Sequence, residues 1–266
     1  MDISVVIPVY NSECCIVECV SSVITELSST SYLWEIIAVN DGSKDRSYDL
    51  LLELKQSSAY GDRITIIDQK NSGVATARNA GIVAAKGKYI ALNDSDDRWL
   101  KGRIEMLMPF FETIPNCGMV SGKHVDQKSF KEGAEEYELV TVRKQLFKGH
   151  FSAPCVIFRK EVIEKVGLFN PEQRYREDGS FFNRICYFYN ACCVNKNVAE
   201  CILKKRIWGD KTGLSSNLKA MEYGELSNIK EAHKSLGIPF HIYVVAMVYS
   251  YLKYIRRVIV SRYRKS

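Results

Sequence analysis

The chain has 266 residues, 46% hydrophobic and 26% charged, enough for one large domain or a domain with an appendage, and its composition excludes a disordered chain. Its net charge of +6 is lopsided: from Ala232 onward there are seven Lys and Arg and no acid, which leaves the preceding 231 residues at −1. A near-neutral globule with a basic tail argues against a nucleic-acid-binding domain, whose basic charge should cover one face of the folded body.

The chain opens on an apolar, strand-like run, Ile3–Val9, so no signal peptide is expected. Apolar residues then recur at helical spacing from Ser12 to about Ser28, with Ile16, Val20, Val23, Ile24 and Leu27 on one face. A strand over Trp34–Val39, a helix from Asp45 to about Ser58, a strand over Arg63–Asp68, a helix over Ala75–Ala85 and a strand over Tyr89–Asn93 follow. This alternation predicts parallel βαβ units, in which ligands bind beyond the carboxyl ends of the strands. The turns after strands one, two and four (Tyr10-Asn11, Asp41-Gly42-Ser43 and Asp94-Ser95-Asp96-Asp97) should therefore open on one crevice.

The second half is less regular. A helix is expected over Leu100–Thr113, a short strand over Gly118–Ser121, and an irregular polar region over residues 124–150. Cys155–Phe158 is apolar, Lys160–Val166 a short helix, Gly167–Pro171 a turn and Arg176–Tyr189 a helix, with strands at Cys192–Val198 and Cys201–Leu203. Two helices close the chain, about Asn217–Leu236 and Phe240 to about Arg262. The apolar part of the last, Phe240–Leu252, falls short of the ~20 residues that span a bilayer. Lys253, Arg256, Arg257 and Arg264 share one helical face, Ile255, Val258 and Ile259 another, and tyrosines are interleaved. Such a helix suits an anionic membrane interface, or else packs or dimerises through its apolar side.

Nine cysteines form no C-x-x-C pair, so a zinc site is not expected. Most lie in apolar runs and read as reduced thiols of a cytosolic protein. The cluster Asp94–Asp97 has three carboxylates in four positions after a buried strand. Like charges this close repel. Either a divalent cation with hard oxygen ligands sits among them, or they form a solvated turn capping the helix expected near Leu100.

Placed in this order, the motifs resemble the inverting family 2 glycosyltransferases of the GT-A fold, over roughly residues 1–215. The resemblance rests on Ser4-Val-Val-Ile-Pro-Val-Tyr-Asn11, on Val39-Asn-Asp-Gly-Ser-Lys-Asp45 and on Asn71-Ser-Gly-Val-Ala-Thr-Ala-Arg-Asn-Ala-Gly81. It extends to Leu92-Asn-Asp-Ser-Asp-Asp97, to Lys160–Phe169 and to the acid pair Glu177-Asp178. It implies a mixed, mostly parallel α/β sheet flanked by helices, with a nucleotide-binding half (1–99) and an acceptor and catalytic half (100–215), while the two closing helices make residues 216–266 a helical, membrane-associating extension. It also implies transfer of a hexose or N-acetylhexosamine from a UDP-sugar to a hydroxyl of a polyprenyl-diphosphate-linked or lipooligosaccharide acceptor. The setting would be bacterial O-antigen, capsule or lipopolysaccharide synthesis on the inner membrane face.

By the same resemblance, Pro8 and Tyr10 edge the base pocket and Asp41 accepts from the uracil N3–H. Arg78 meets the nucleotide, Asp94 holds the ribose or the metal, and Asp96 ligates Mn2+ or Mg2+. Asp178 is the general base, with Glu177 beside it to position the base or bind acceptor hydroxyls. Blander readings exist for each: a turn residue for Asp41, an exposed helix charge for Arg78, and acids favoured at a helix N-terminus for Glu177 and Asp178. Two departures stand out: Asn40 replaces the motif's first acid, and Arg206-Ile-Trp208 lacks a histidine that many members carry, leaving Lys211 or Arg206 as sources of positive charge. A nicotinamide-dependent enzyme is disfavoured, because Pro-Val-Tyr-Asn-Ser-Glu stands where its G-x-G-x-x-G belongs. A non-catalytic sugar-nucleotide-binding scaffold is the remaining alternative.

Overall fold

The computed structural model describes residues 1–127, 135–203 and 216–263. Strands β1 (Ile3–Val9), β2 (Trp34–Asp41), β3 (Ile64–Gln69) and β4 (Tyr89–Leu92) alternate with helices α1 (Ile16–Ser28), α2 (Ser47–Ser57) and α3 (Val74–Ala84). Next come β5 (Asp97–Trp99), α4 (Arg103–Leu107), α5 (Phe110–Thr113), β6 (Cys117–His124), β7 (Tyr137–Leu139), α6 (Val142–Lys148) and β8 (Val156–Arg159). The chain continues through α7 (Ile163–Val166), α8 (Glu177–Phe188), β9 (Asn190–Cys201), α9 (Leu218–Ser235) and α10 (Phe240–Tyr263).

The strands make one sheet in the order β3-β2-β1-β4-β8-β6-β9-β5, with β7 also on β9. Strands β1 to β4, β6 and β9 run parallel, while β5, β7 and β8 run against their neighbours. The sheet is thus mixed and mostly parallel, as expected. Pro8 sits in central β1 at no cost to the ladder. The Val6 carbonyl accepts from Asn93 N on the β4 side at 3.1 Å, and Pro8, two residues on, faces the same side where β4 has already ended.

One apolar layer packs α1 and α2 against the sheet through Ile16, Val20, Val23, Leu27 and Leu51. The opposite layer takes α3 and α8, through Ala77, Ile82, Phe181, Phe182 and Ile185. Gly81 of α3 lies so close to the Val6 side chain that a Cβ has no room, which explains the glycine ending that motif. A third cluster, Val142, Leu146, Ile229, Ala232, Leu236 and Ala246, joins α6 to α9 and α10.

Several elements depart from expectation. The helix expected over Leu100–Thr113 begins only at Arg103, after Gly102 in the left-handed region (φ 81°), and is split in two around Pro109. Proline has no N–H to continue the helical ladder. The cap of α4 is not the Asp94–Asp97 turn but Glu26, a buried carboxylate of α1 that accepts from Gly102 N and Ile104 N, both at 2.8 Å. In place of the two strands expected at Cys192–Val198 and Cys201–Leu203 there is one continuous strand, β9, which ends at Cys201, has irregular register against β6 and leaves Ile202 and Leu203 in a turn. The region 124–150 holds β7 and α6 among its described residues.

Candidate active site

Three turns converge beyond the carboxyl ends of β1, β2 and β4. Asn11 Oδ1 accepts from Lys44 N at 2.8 Å, and Asn11 N donates to Ser43 Oγ at 3.1 Å. Ser12 ties the first turn to both others: its N donates to Ser47 Oγ at 2.7 Å, and its hydroxyl meets Ser95 Oγ at 2.6 Å. Pro8 is buried at this mouth, while Tyr10 is 47% exposed.

Asp41, at the end of β2, is buried and receives three hydrogen bonds: Gln69 Nε2 (2.7 Å) and Ser72 N (2.8 Å) on Oδ1, and Gly73 N (2.9 Å) on Oδ2. The last two donors stand at the amino end of α3, where a carboxylate complements the helix dipole. Gly42 (φ 68°) approaches Asn71 N so closely that a Cβ would lie 2.6 Å from it. The neighbouring Asn40 donates Nδ2 to Asp68 Oδ1 at 2.7 Å, so the amide replacing the motif's first acid is matched by an acid on β3.

Arg78, one turn into α3, is 4% exposed and is no surface charge. Its Nη2 donates to Asp94 Oδ1 at 2.7 Å and its Nη1 to Glu177 Oε1 at 2.6 Å, joining residues 99 positions apart. Burial opposes its charge, but Asp94 and then Glu177 outweigh that and raise its pKa. The Glu177 carboxyl is pushed upward by burial and by Asp178, with Arg78 pulling the other way. Arg78 Nε is buried with no hydrogen-bond partner among the described residues. Asp178 is half-buried, and its Oδ1 accepts from Gly179 N at 2.8 Å.

The acidic turn divides by environment. Asp94 and Asp96 are half-exposed, while Asp97 is buried and meets His124 Nε2 at 3.0 Å. Burial raises the Asp97 pKa against the pull of His124. Burial also disfavours the His124 cation, yet Asp97 reverses that and raises its pKa. His124, at the end of β6, was not anticipated from sequence; nothing local marks a lone histidine 27 residues from its partner. Arg206, Trp208 and Lys211 lie outside the described residues.

Among the described residues, no three His, Cys, Asp or Glu side chains come together as a metal cage. Two half-exposed carboxylates, Asp94 and Asp96, still fit a hard cation of the kind held by one or two carboxylates plus substrate phosphates.

Residues 4–167 match the family model described as Glycosyl transferase family 2. The chain is 31% identical over 193 residues to the uncharacterized glycosyltransferase EpsJ of Bacillus subtilis, across 67% of this chain and 54% of that protein. It is 27% identical over 194 residues to the minor teichoic acid biosynthesis protein GgaA of the same organism, across 68% and 42%. The chain thus spans about half the length of the curated relatives it matches. Among solved structures, residues 1–349 of S. aureus TarS superpose with a TM-score of 0.65 at 18% identity, covering 94% of this chain and 70% of that one. TarS is also solved with UDP and with UDP-GlcNAc. The mannosyltransferase PcManGT of Pyrobaculum calidifontis, in complex with GDP-Man and Mn2+, gives a TM-score of 0.66 at 16% identity, covering 98% and 72%. At these identities the structural likeness is one of fold.

Proposed function

The chain belongs to glycosyl transferase family 2, and from that premise we propose that it moves a hexose or N-acetylhexosamine from a UDP-sugar to a hydroxyl of a lipid-linked glycan, with inversion at the anomeric carbon. The observation that carries this reading is the continuous line Asp94–Arg78–Glu177, with Asp178 next to it, beside the three stitched turns at the sheet's carboxyl edge. The teichoic acid relative and the UDP-sugar complexes of TarS support a surface-polysaccharide setting and a UDP-sugar. Residues 1–99 hold the nucleotide and residues 100–215 the acceptor.

Tyr10 lies against the uracil and Pro8 forms the pocket edge. Asp41 accepts from the uracil N3–H through the oxygen that carries only one hydrogen bond. Asp94 and Asp96 hold Mg2+ or Mn2+, which when bound offsets negative charge on the diphosphate. Arg78 keeps Asp94 and Glu177 in place. Asp178 takes the proton of the acceptor hydroxyl as its oxygen attacks C1 and the bond from C1 to the diphosphate breaks. One displacement inverts the centre. With polyprenyl-diphosphate-linked and lipooligosaccharide acceptors and a panel of UDP-sugars, UDP release should occur for one pairing and stop with chelator. UDP binding without any release would favour the scaffold reading, and turnover unaffected by chelator would remove the metal.

The 216–266 extension lies on the inner membrane face in this reading. Among the described residues no helix is long and apolar enough to cross a membrane. The basic face foreseen for α10 is partly spent inside the protein: Lys253 and Arg257 pair with Glu225 (3.8 Å) and Glu222 (3.3 Å) of α9. What α10 turns outward is apolar, including Val244, Val248, Leu252, Ile255 and Ile259, with Arg256 beside them. An apolar stripe flanked by positive charge fits the headgroup boundary of anionic lipid. The protein should sediment with anionic vesicles, and Val248→Asp with Leu252→Asp should release it; sedimentation of the double variant at wild-type level would rule out this face.

A further inference from the structure

Arg176, which precedes the acid pair, is one of three described non-glycine residues with positive φ, at 58°. A bulky residue adopts that conformation only where its surroundings hold it. The holding groups come from α9. Asn228 Nδ2 donates to the Arg176 carbonyl at 2.8 Å, and Asn228 Oδ1 accepts from Gln173 Nε2 at 2.7 Å, which also reaches the Arg176 carbonyl at 3.1 Å. Gly224 leaves room for the Tyr175 carbonyl, and a Cβ on Gly179 would lie 2.6 Å from Asn228 Nδ2. Farther along α8, Ser180 Oγ donates to Glu231 Oε2 at 2.6 Å.

The Arg176 side chain is held as firmly as its backbone. Its Nε donates to Glu225 Oε2 at 2.8 Å, with Nη2 at 2.6 Å from the same oxygen. Glu225 is buried and has Lys253 of α10 on its other oxygen at 3.8 Å. Glu225 first, against the cost of burial, and then Asp178, two residues along the chain, raise the Arg176 pKa. Besides Glu225, the carboxylates that favour the Arg176 charge are Asp178 and Glu177, the next two residues of the chain.

We infer that Glu225 and Asn228 are positioning residues for the reaction: Asn228 fixes the left-handed turn that aims Asp178, and Glu225 occupies the Arg176 guanidinium so that this cation does not pair with Asp178, which stays able to accept a proton. This rests on the reading of Asp178 as general base. A carboxylate ion-paired to arginine holds its charge more tightly and is a weaker base. Helix α9, which lies outside the region matched by the family model, thereby becomes part of the catalytic half.

The test is steady-state kinetics on the full chain with the UDP-sugar and acceptor that turn over, with UDP affinity and thermal melting measured on each variant. Glu225→Gln should lower kcat by about tenfold to 100-fold, the scale of a misplaced reacting group, while KM for the UDP-sugar stays unchanged. Adding Arg176→Met to Glu225→Gln removes the cation that would fall on Asp178, so kcat should recover. Arg176→Met alone should keep kcat within a few-fold, and it tests the same idea should Glu225→Gln fail to fold. A double variant as slow as Glu225→Gln, or Arg176→Met as slow as Asp178→Asn, overturns the inference. Full activity of Asp178→Asn would instead overturn the base assignment, whatever Glu225→Gln does.

Discussion

Asp178→Asn should lower kcat by about 10²–10⁴-fold, the usual contribution of a general base, with UDP affinity unchanged. The substitution keeps the side-chain shape and the oxygen that accepts from Gly179 N, so the turn should stand. It removes only the ability to take the acceptor's proton. The choice of Asp178 over Glu177 is geometric: Glu177 is buried with Oε1 held by Arg78 at 2.6 Å, whereas Asp178 is half-buried and, among the described residues, bonded to its neighbour's backbone. Full turnover of Asp178→Asn in a UDP-release assay would sink the assignment.

Arg78→Met should unfold the protein more easily, by about 3–5 kcal/mol, because removing one partner of a buried ion pair strands the other. Glu177 loses its cation in a dry site, whereas half-exposed Asp94 recovers water. At roughly 2–4 °C per kcal/mol for a chain near this size, melting followed by circular dichroism should fall by about 6–20 °C. The second substitution separates charge burial from lost packing. Arg78→Met combined with Glu177→Gln should be more stable than Arg78→Met alone, since neither partner is left charged and unpaired. Equal melting of the single and double variants would mean that the pair does not hold these elements together.

Most of residues 1–99 was legible because strands β1, β2 and β4 are buried on both faces and the helices are amphipathic: β1 was expected at its observed bounds, Ile3–Val9. Strand β5 was not, since Asp97-Arg-Trp99 has no apolar run and exists by pairing with β9 and by the Arg98 links to Glu18 and Glu200. Helix α6 hid in a polar stretch because Val142 and Leu146 make sense only against α9 and α10. The step Ala199-Glu200 looked like a gap between strands, yet the backbone continues through it as β9, with Ala199 opposite Trp99 and Glu200 opposite Arg98 of β5. In the site, the residue types were readable, but their partners were not. Arg78 with Glu177, Asp97 with His124 and Arg176 with Glu225 are each joined across long stretches of chain that local patterns do not record.

The stitching of the three turns by Asn11, Ser12, Ser43, Ser47 and Ser95 has a thermodynamic consequence. Loop residues lose conformational freedom either when a chain folds or when its ligand arrives. Here these turns are already fixed to one another by short hydrogen bonds, so that entropy is surrendered at folding. In the proposed reading, a nucleotide entering this mouth would meet a rim already ordered and keep more of its contact energy as affinity.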